Sequence, residues 1–231
     1  MRIPLTKYGL PQVVVYPVVV VTGMVVVALV WPASLPAWGL AALEATLAAI
    51  LAWALTFFRD PHRRIAPDDA VLAAPADGRV TDIETLDGNE FIDGPALRIG
   101  IFLSIFNTHI NRAPCEGTVE TITYRKGRYV NAMNPLCGKV NESNALVMVR
   151  TNEPRDRLVV RQISGAIARR IVCAARQGQE LARGEKFGMI KFGSRTELYV
   201  PADSRIECLV QVGDKVKAGV TPVARYTRCR R

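Results

Sequence analysis

The chain has little of several things that usually announce a function. Its 231 residues include two histidines and five cysteines, and aromatic residues make up 7%. The cysteines, at positions 115, 137, 173, 208 and 229, form no Cys-x-x-Cys pair and no zinc-like spacing. They read as scattered reduced thiols in a cytosol-facing protein, not as a disulfide framework or a metal centre. Neither Gly-x-Gly-x-x-Gly nor a P-loop occurs, so neither a metal nor a nucleotide is predicted. With so few aromatics and no interleaving of them with basic residues, the stacking platforms of a single-strand nucleic-acid binder are missing. Low-complexity segments and long-period repeats are missing too. Charge is absent from one stretch in particular: from Tyr8 to Leu43 there is no Asp, Glu, Lys, Arg or His.

What is present begins with that stretch. Val13 to Trp31 is dominated by valine, and a second apolar run from Ala37 to Phe58 is interrupted by Glu44 alone. Each is close to the roughly 20 helical residues that span a bilayer core of about 30 Å. Pro32, Ser34 and Pro36 break the two runs, with Trp31 and Trp38 where interfacial aromatics belong. The first run is longer than the apolar core of a signal peptide and is followed at once by the second, which argues against cleavage. Arg2 and Lys7 precede the first run, Arg59, Arg63 and Arg64 follow the second, and the connecting turn has no cation. Positive-inside logic therefore puts both ends and everything after residue 60 in the cytoplasm, at the cell (inner) membrane. Residues 1–60 are expected to form a membrane-anchoring helical hairpin, with Glu44 the feature that opposes a second full crossing.

Residues 61–231 read differently. Hydrophobic content of 49% against 22% charge over the whole chain excludes disorder. The net charge of +9 suits an anionic partner, and 27 of the 30 Lys and Arg lie beyond residue 60. Short Val/Ile-rich runs at Val71-Leu72, Leu97–Leu103, Val119–Ile122, Leu146–Val149, Leu158–Val160, Leu198–Val200 and Ile206–Val210 predict strands. A helical-period patch at Ile167, Ile171 and Val172, among Arg169 and Arg170, interrupts them. The expected class is mainly β (α+β). Ala74–Val80 and Val212–Gly219 resemble the two halves of a biotinyl/lipoyl-like barrel-sandwich, a likeness of fold that does not fix function. A carrier domain of that fold would show a modifiable lysine in a tight hairpin, and neither Lys139 nor Lys191 sits in one.

The candidates for chemistry are few. His62 follows the apolar runs and reads as a surface residue. His109 ends a hydrophobic strand in the loop Ser104–Pro114, where catalytic residues concentrate. Asp77 in Pro75-Ala-Asp-Gly78 is by itself a turn former. Phe192-Gly-Ser-Arg195 lies between two apolar strands, and its Gly-Ser pair admits two readings, an ordinary tight turn or serinolysis. In the second, Gly193 takes a strained conformation and the Ser194 hydroxyl attacks its carbonyl. β-Elimination and hydrolysis then leave a pyruvoyl group at a new N-terminus.

Taken together, these motifs resemble the short, membrane-associated form of the phosphatidylserine decarboxylase family. The likeness covers about the whole chain. It rests on Phe57-Phe-Arg-Asp-Pro61, Pro75-Ala-Asp-Gly78, Thr108-His-Ile-Asn-Arg-Ala-Pro114, Asn141-Glu-Ser-Asn144, Gln162-Ile-Ser-Gly-Ala-Ile-Ala-Arg-Arg170 and Phe192-Gly-Ser-Arg195. The longer bacterial form has His-x-x-His and Leu-Gly-Ser-Thr, where this chain has Arg112 in place of the second histidine and Phe-Gly-Ser-Arg.

The resemblance implies a decarboxylase domain over 61–231, cleaved between 193 and 194 into a β chain, 1–193, and an α chain, 194–231, that stay together as a heterodimer. It implies a covalent pyruvoyl cofactor made from Ser194, which forms a Schiff base with phosphatidylserine and acts as an electron sink. His109 is implied for positioning the substrate carboxylate or reprotonating carbon, and Asp77 for orienting the groups that activate Ser194. Arg112, Arg169 and Arg170 are candidates for the lipid phosphate. The expected partners are phosphatidylserine in the bilayer and an anionic membrane surface, with no nucleic acid and with a higher oligomer left open. The competing reading is a non-catalytic, membrane-anchored carrier or adaptor domain.

Overall fold

The computed structural model describes residues 4–88, 90–134, 136–166, 170–191, 193–203 and 205–227. The chain divides into two compact units at Pro61/His62.

The first unit is a helical hairpin. A 3-10 turn, Lys7–Gly9, leads into α1 (Leu10–Val30), and α2 (Ala37–Phe57) returns. Both helices are long and apolar enough to cross a membrane. Their large side chains are mostly exposed, Val19 at 62% and Leu29 at 80%. The base of the hairpin is closed by Thr6 N–H donating to the Phe58 carbonyl at 2.9 Å. Gly9 is required there, because a Cβ would sit 2.2 Å from the Phe58 ring.

The second unit is built from strands β1 (Val71–Ala73), β2 (Gly78–Leu86), β3 (Ala96–Leu103), β4 (Ile110–Arg112), β5 (Gly117–Arg125), β6 (Ser143–Arg150) and β7 (Arg157–Ile163). They are followed by β8 (Ile171–Cys173), β9 (Glu180–Leu181), β10 (Lys186–Ile190), β11 (Ser194–Pro201), β12 (Ile206–Cys208), β13 (Lys215–Val216) and β14 (Pro222–Tyr226). A short helix, α3 (Cys137–Val140), precedes β6. Eight strands form one sheet in the order β13-β2-β3-β11-β7-β6-β5-β9, and two three-stranded sheets, β1-β14-β12 and β4-β10-β8, accompany it. The class is mainly β with apolar N-terminal helices.

Each expected Val/Ile run falls in a strand, except that the last, Ile206–Val210, leaves its strand after Cys208. Alternate residues (Ile99, Ile101 and Leu103 of β3, Leu146 and Met148 of β6, Leu158 and Val160 of β7, Leu198 and Val200 of β11) meet in one buried core. This is the period-two burial that a pleated strand imposes. The opposite face has a smaller cluster of Ile92, Ala96, Ala145, Val147, Val159 and Tyr199.

One expectation fails. Ile171 and Val172 are not helical; they form β8, paired antiparallel with β10 through Ile190↔Ile171 and Met189↔Val172. β-Branched residues favour the pleated, half-buried surface that β10 offers, and this outweighs a short run of helical spacing. Ile167 and Arg169, from the same patch, lie outside the described residues.

The segments Ala74–Val80 and Val212–Gly219 are brought together. Lys215↔Arg79 and Val216↔Gly78 pair β13 with β2. Gly219 N–H donates to the Ala74 carbonyl at 2.8 Å, and Val80 N–H to that of Asp214 at 2.9 Å.

Candidate active site

Ser194 is the first residue of β11, whose neighbours are β3 and β7. Alternation puts Ser194, Thr196, Leu198 and Val200 on the core face and Arg195, Glu197 and Tyr199 on the other. Ser194 pairs with Leu103 of β3 and is fully buried. Its Oγ has no hydrogen-bond partner among the described residues. A buried hydroxyl left in that condition costs about 1–3 kcal/mol, which packing alone gives no reason to retain.

Gly193, just before it, has φ of +64°, in the left-handed region. A side chain there costs about 1–2 kcal/mol, so glycine is the residue that turns the chain into β11 cheaply. The Gly193 carbonyl oxygen is packed against the Cα of Gly165: a Cβ on Gly165 would lie 2.1 Å from it. The Gly193 N–H donates to His109 Nε2 at 3.2 Å. On the other side of the ring, Nδ1 is 3.0 Å from the Asn107 carbonyl oxygen. A carbonyl can only accept, so the proton is assigned to Nδ1 and the lone pair to Nε2.

The imidazole is fully buried and held from several directions. Ile190 N–H donates to the His109 carbonyl at 3.2 Å, joining the end of β10 to the start of β4. Asn107 is itself fixed, its Oδ1 accepting from the Ser104 N–H at 2.9 Å and hydroxyl at 2.7 Å. A buried amide relay continues behind the histidine. Asn111 Nδ2 donates to Thr196 Oγ1 at 3.0 Å, Gln162 Nε2 to Asn111 Oδ1 at 2.9 Å, and Asn144 Nδ2 to Gln162 Oε1 at 3.1 Å. It bonds β4, β11, β7 and β6 to one another beside the Gly-Ser pair.

The far face of β11 is ionic. Arg195 donates to Asp82 through Nη1 and Nη2, both at 2.7 Å, and through Nε to Glu197 Oε1 at 2.9 Å. Tyr199 OH donates to Glu197 Oε2 at 2.6 Å. A bulge in β2 between Val80 and Asp82 aims the Asp82 carboxylate at this guanidinium. Burial pushes the Asp82 carboxyl up, but the hydrogen bonds from Arg195 and Thr81 outweigh it and hold it below its ordinary value. Lys191, two residues before Gly193, is shifted down by burial and by the neighbouring Arg170 cation.

A cavity of about 230 Å³ opens at Gly193, lined also by Phe102, Ser104, Ile105, Asn131, Ala132 and Ala166. A larger one, about 480 Å³, lies at the other end of β11 around Pro201 and Arg205, away from these groups.

Of the residues singled out from the sequence, Gly193, Ser194 and His109 are brought together. Asp77 is bonded elsewhere: Oδ1 accepts from Ala218 N–H at 2.8 Å and Oδ2 from Arg63 Nη2 at 2.6 Å. Arg112 is buried, with Nη1 donating to the Gly184 carbonyl at 2.9 Å. Arg170 is exposed, and its carbonyl accepts from Lys191 N–H at 3.1 Å. Arg169 and Phe192 lie outside the described residues, and His62 is exposed. Sequence reasoning missed Gly165, Asn107, Lys191 and the amide relay. Gly165 and Gln162 did stand within a motif of the resemblance, a signal that carried no role.

Fold and site thus define a mainly β protein in which a half-buried glycine bonded to a buried histidine precedes a buried serine. Residues 50–224 match the family model described as phosphatidylserine decarboxylase. A phosphatidylserine decarboxylase proenzyme of Rhodopirellula baltica is 42% identical over 225 residues, covering 97% of this chain and 89% of the relative. That of Syntrophus aciditrophicus is 36% identical over 222 residues, covering 96% and 97%. That of Carboxydothermus hydrogenoformans is 43% identical over 169 residues, covering 73% and 78%. The chain belongs to the phosphatidylserine decarboxylase family.

Proposed function

We propose that this chain cuts itself between Gly193 and Ser194 and then decarboxylates phosphatidylserine to phosphatidylethanolamine in phospholipid biosynthesis. The carrying observation is the conjunction at one peptide bond: a left-handed Gly193 whose N–H is held by His109, followed by the buried, unpartnered Ser194 hydroxyl. The hydroxyl oxygen adds to the Gly193 carbonyl carbon, the 193–194 C–N bond breaks, and the hydroxyl proton finishes on the freed Ser194 amine. The lone pair of His109 Nε2, once released from the Gly193 N–H, is the adjacent group that carries that proton. The bare Cα of Gly165 leaves room for the carbonyl oxygen to move as its carbon becomes tetrahedral. Loss of the Ser194 α-proton and departure of the Gly193 carboxylate leave dehydroalanine. Water then displaces ammonia, giving a pyruvoyl group at residue 194.

Ser194, His109 and the cavity that opens at Gly193 fit such a group. When formed, it supplies a carbonyl that condenses with an amine and withdraws the electron pair left as CO₂ departs. His109, freed of the peptide N–H, positions the substrate carboxylate and returns a proton to carbon. Asp77 is a positioning residue. It fixes the turn whose Pro75 carbonyl accepts from Arg112 N–H at 3.0 Å, and so sets the strand that begins beside His109. Arg170, exposed beside Lys191, is the arginine best placed for the lipid phosphate, with Arg112 and Arg169 the other candidates.

Residues 1–60 serve as the membrane anchor and 61–231 as the catalytic domain, on the cytoplasmic side of the cell membrane and facing its anionic leaflet. The pairing of β13 with β2 supports a barrel-sandwich relationship for the latter. The α and β chains remain one heterodimer.

Intact-mass spectrometry of the purified chain, beside Ser194→Ala, tests the reading. Two fragments, 1–193 and 194–231, with the smaller blocked by a pyruvoyl group, and an uncut variant are expected. A single uncut parent chain from a folded sample would overturn it.

A further inference from the structure

Two turns rim the cavity at Gly193, and each presents an apolar side chain to solvent. In the first, closed by Asn107 N–H donating to the Ser104 carbonyl at 2.9 Å, Phe106 is 69% exposed. In the second, closed by Asn134 N–H donating to the Asn131 carbonyl at 2.9 Å, Met133 is 66% exposed. Leu136 follows in the next turn, 56% exposed. Exposed apolar residues scattered singly are ordinary; several gathered at the mouth of one cavity are not.

The turns are fastened by their asparagines, which keeps these side chains from folding inward. Asn131 Oδ1 accepts from Met133 N–H at 3.0 Å, and Asn134 Oδ1 from Leu136 N–H at 2.9 Å. Asn141 holds the base of the segment through Val130 N–H at 2.9 Å, the Val130 carbonyl at 2.8 Å and the Ser164 carbonyl at 2.8 Å.

Charge selects the partner. Residues 125–139 carry Arg125, Lys126, Arg128 and Lys139 and no carboxylate, and 104–112 carry none either. Arg125 is paired with Glu90, whereas Lys126, Arg128 and Lys139 are exposed cations flanking the apolar tips. Apolar tips among cations fit a sheet of anionic headgroups over acyl chains. A nucleic acid would find the cations but no use for Met133 and Leu136.

We propose that the catalytic domain has a membrane contact of its own: the tips at Phe106, Met133 and Leu136 enter an anionic phospholipid leaflet, and the cavity takes its lipid directly from that layer. The inference rests on the decarboxylase reading for its purpose but not for its first test.

The full chain is reconstituted into vesicles of phosphatidylcholine and phosphatidylglycerol with and without brominated acyl chains, comparing the parent with Met133→Trp. The added tryptophan should emit to the blue and be quenched by bromine beyond the baseline of Trp31, Trp38 and Trp53. Emission at the wavelength of a water-exposed indole, with no added quenching, would overturn the docking. The double variant Met133→Asp/Leu136→Asp should process fully and turn over a short-chain, water-dispersed phosphatidylserine at the parent rate. Its apparent KM for long-chain lipid in vesicles should rise by about a hundredfold or more, the scale of losing two buried apolar side chains. An unchanged KM in vesicles would also overturn the docking. A parent chain that turns over neither lipid would overturn the decarboxylase reading instead, while the tryptophan still decides the docking.

Discussion

The two faces of β11 treat their polar groups in opposite ways. On one face, Arg195, Glu197 and Tyr199 saturate one another and Asp82 with charge-assisted bonds, three of them at 2.6–2.7 Å. On the other, Thr196 is anchored by Asn111, yet Ser194 is buried with its hydroxyl unengaged among the described residues. Both faces belong to one eight-residue strand, so the difference is not one of rigidity or burial. The saturated face fixes the strand, and the fixed strand presents the Ser194 hydroxyl, the proposed nucleophile, at a definite place without a bond that must first be broken. Preorganisation of this kind lowers a barrier because the ordering is complete before the reaction starts.

The contrast can be broken from either side. The largest effect is expected on the reactive face. His109→Ala removes the proposed proton carrier and should slow formation of the two chains by about 10²–10⁴-fold, followed as band conversion over time. A variant that matures at the parent rate would remove His109 from the self-cleavage step. On the ionic face, Arg195→Ala leaves Glu197 buried without its guanidinium. The loss should be about 3–5 kcal/mol, measured by denaturant unfolding of the uncut Ser194→Ala background. Breaking the amide relay with Gln162→Ala strands the polar ends of Asn111 and Asn144, and about 1–3 kcal/mol is expected in the same assay. Gly193→Ala should cost about 1–2 kcal/mol and slow maturation, since φ of +64° disfavours any side chain.

The smallest effect is acid sensitivity. The Asp82 carboxyl lies below its ordinary value of 3.8 in the folded chain, so its contribution is fully present above that pH. It disappears as the pH falls through the lower folded value, and Asp82→Asn should flatten that acid limb without changing stability's dependence on pH near neutrality.

Much of this arrangement could be read from the chain. Val/Ile runs marked the strands, and the Gly-Ser pair between two of them marked the turn, because both depend on neighbours in sequence. His109 was found because a hydrophobic strand ended there in a polar loop. What could not be read depends on residues far apart in the chain. Gly165 matters for the carbonyl of Gly193, 28 positions on, and Gln162 bonds Asn111 across 51. The local signal at Asn111, Asn144 and Gln162 is of polar residues among apolar ones, which alternation would send to solvent. Burial was also hidden at Arg112, whose Cδ lies beside Gly219 and whose guanidinium bonds the Gly184 carbonyl. Ile171 and Val172 misled for the converse reason: their spacing was helical, but the partner that makes them a strand is β10.

The position of Ser194 at the very start of β11 also determines what a cut there would do to the molecule's reversibility. The 38 residues from Ser194 onward place β11 inside the large sheet, β13 on its edge against β2, and β12 and β14 in the sheet with β1. Among the described residues every cysteine is a free thiol, so hydrogen bonds, apolar contact and ion pairs such as Arg195 with Asp82 are what join the two pieces. Before the cut, unfolding is an event within one chain and refolding needs no encounter. After it, the pieces would part on unfolding and have to find each other again, so recovery would become second order. A protein cut there would be held by the height of its unfolding barrier, and its lifetime, not its equilibrium stability, is what the proposed maturation would fix.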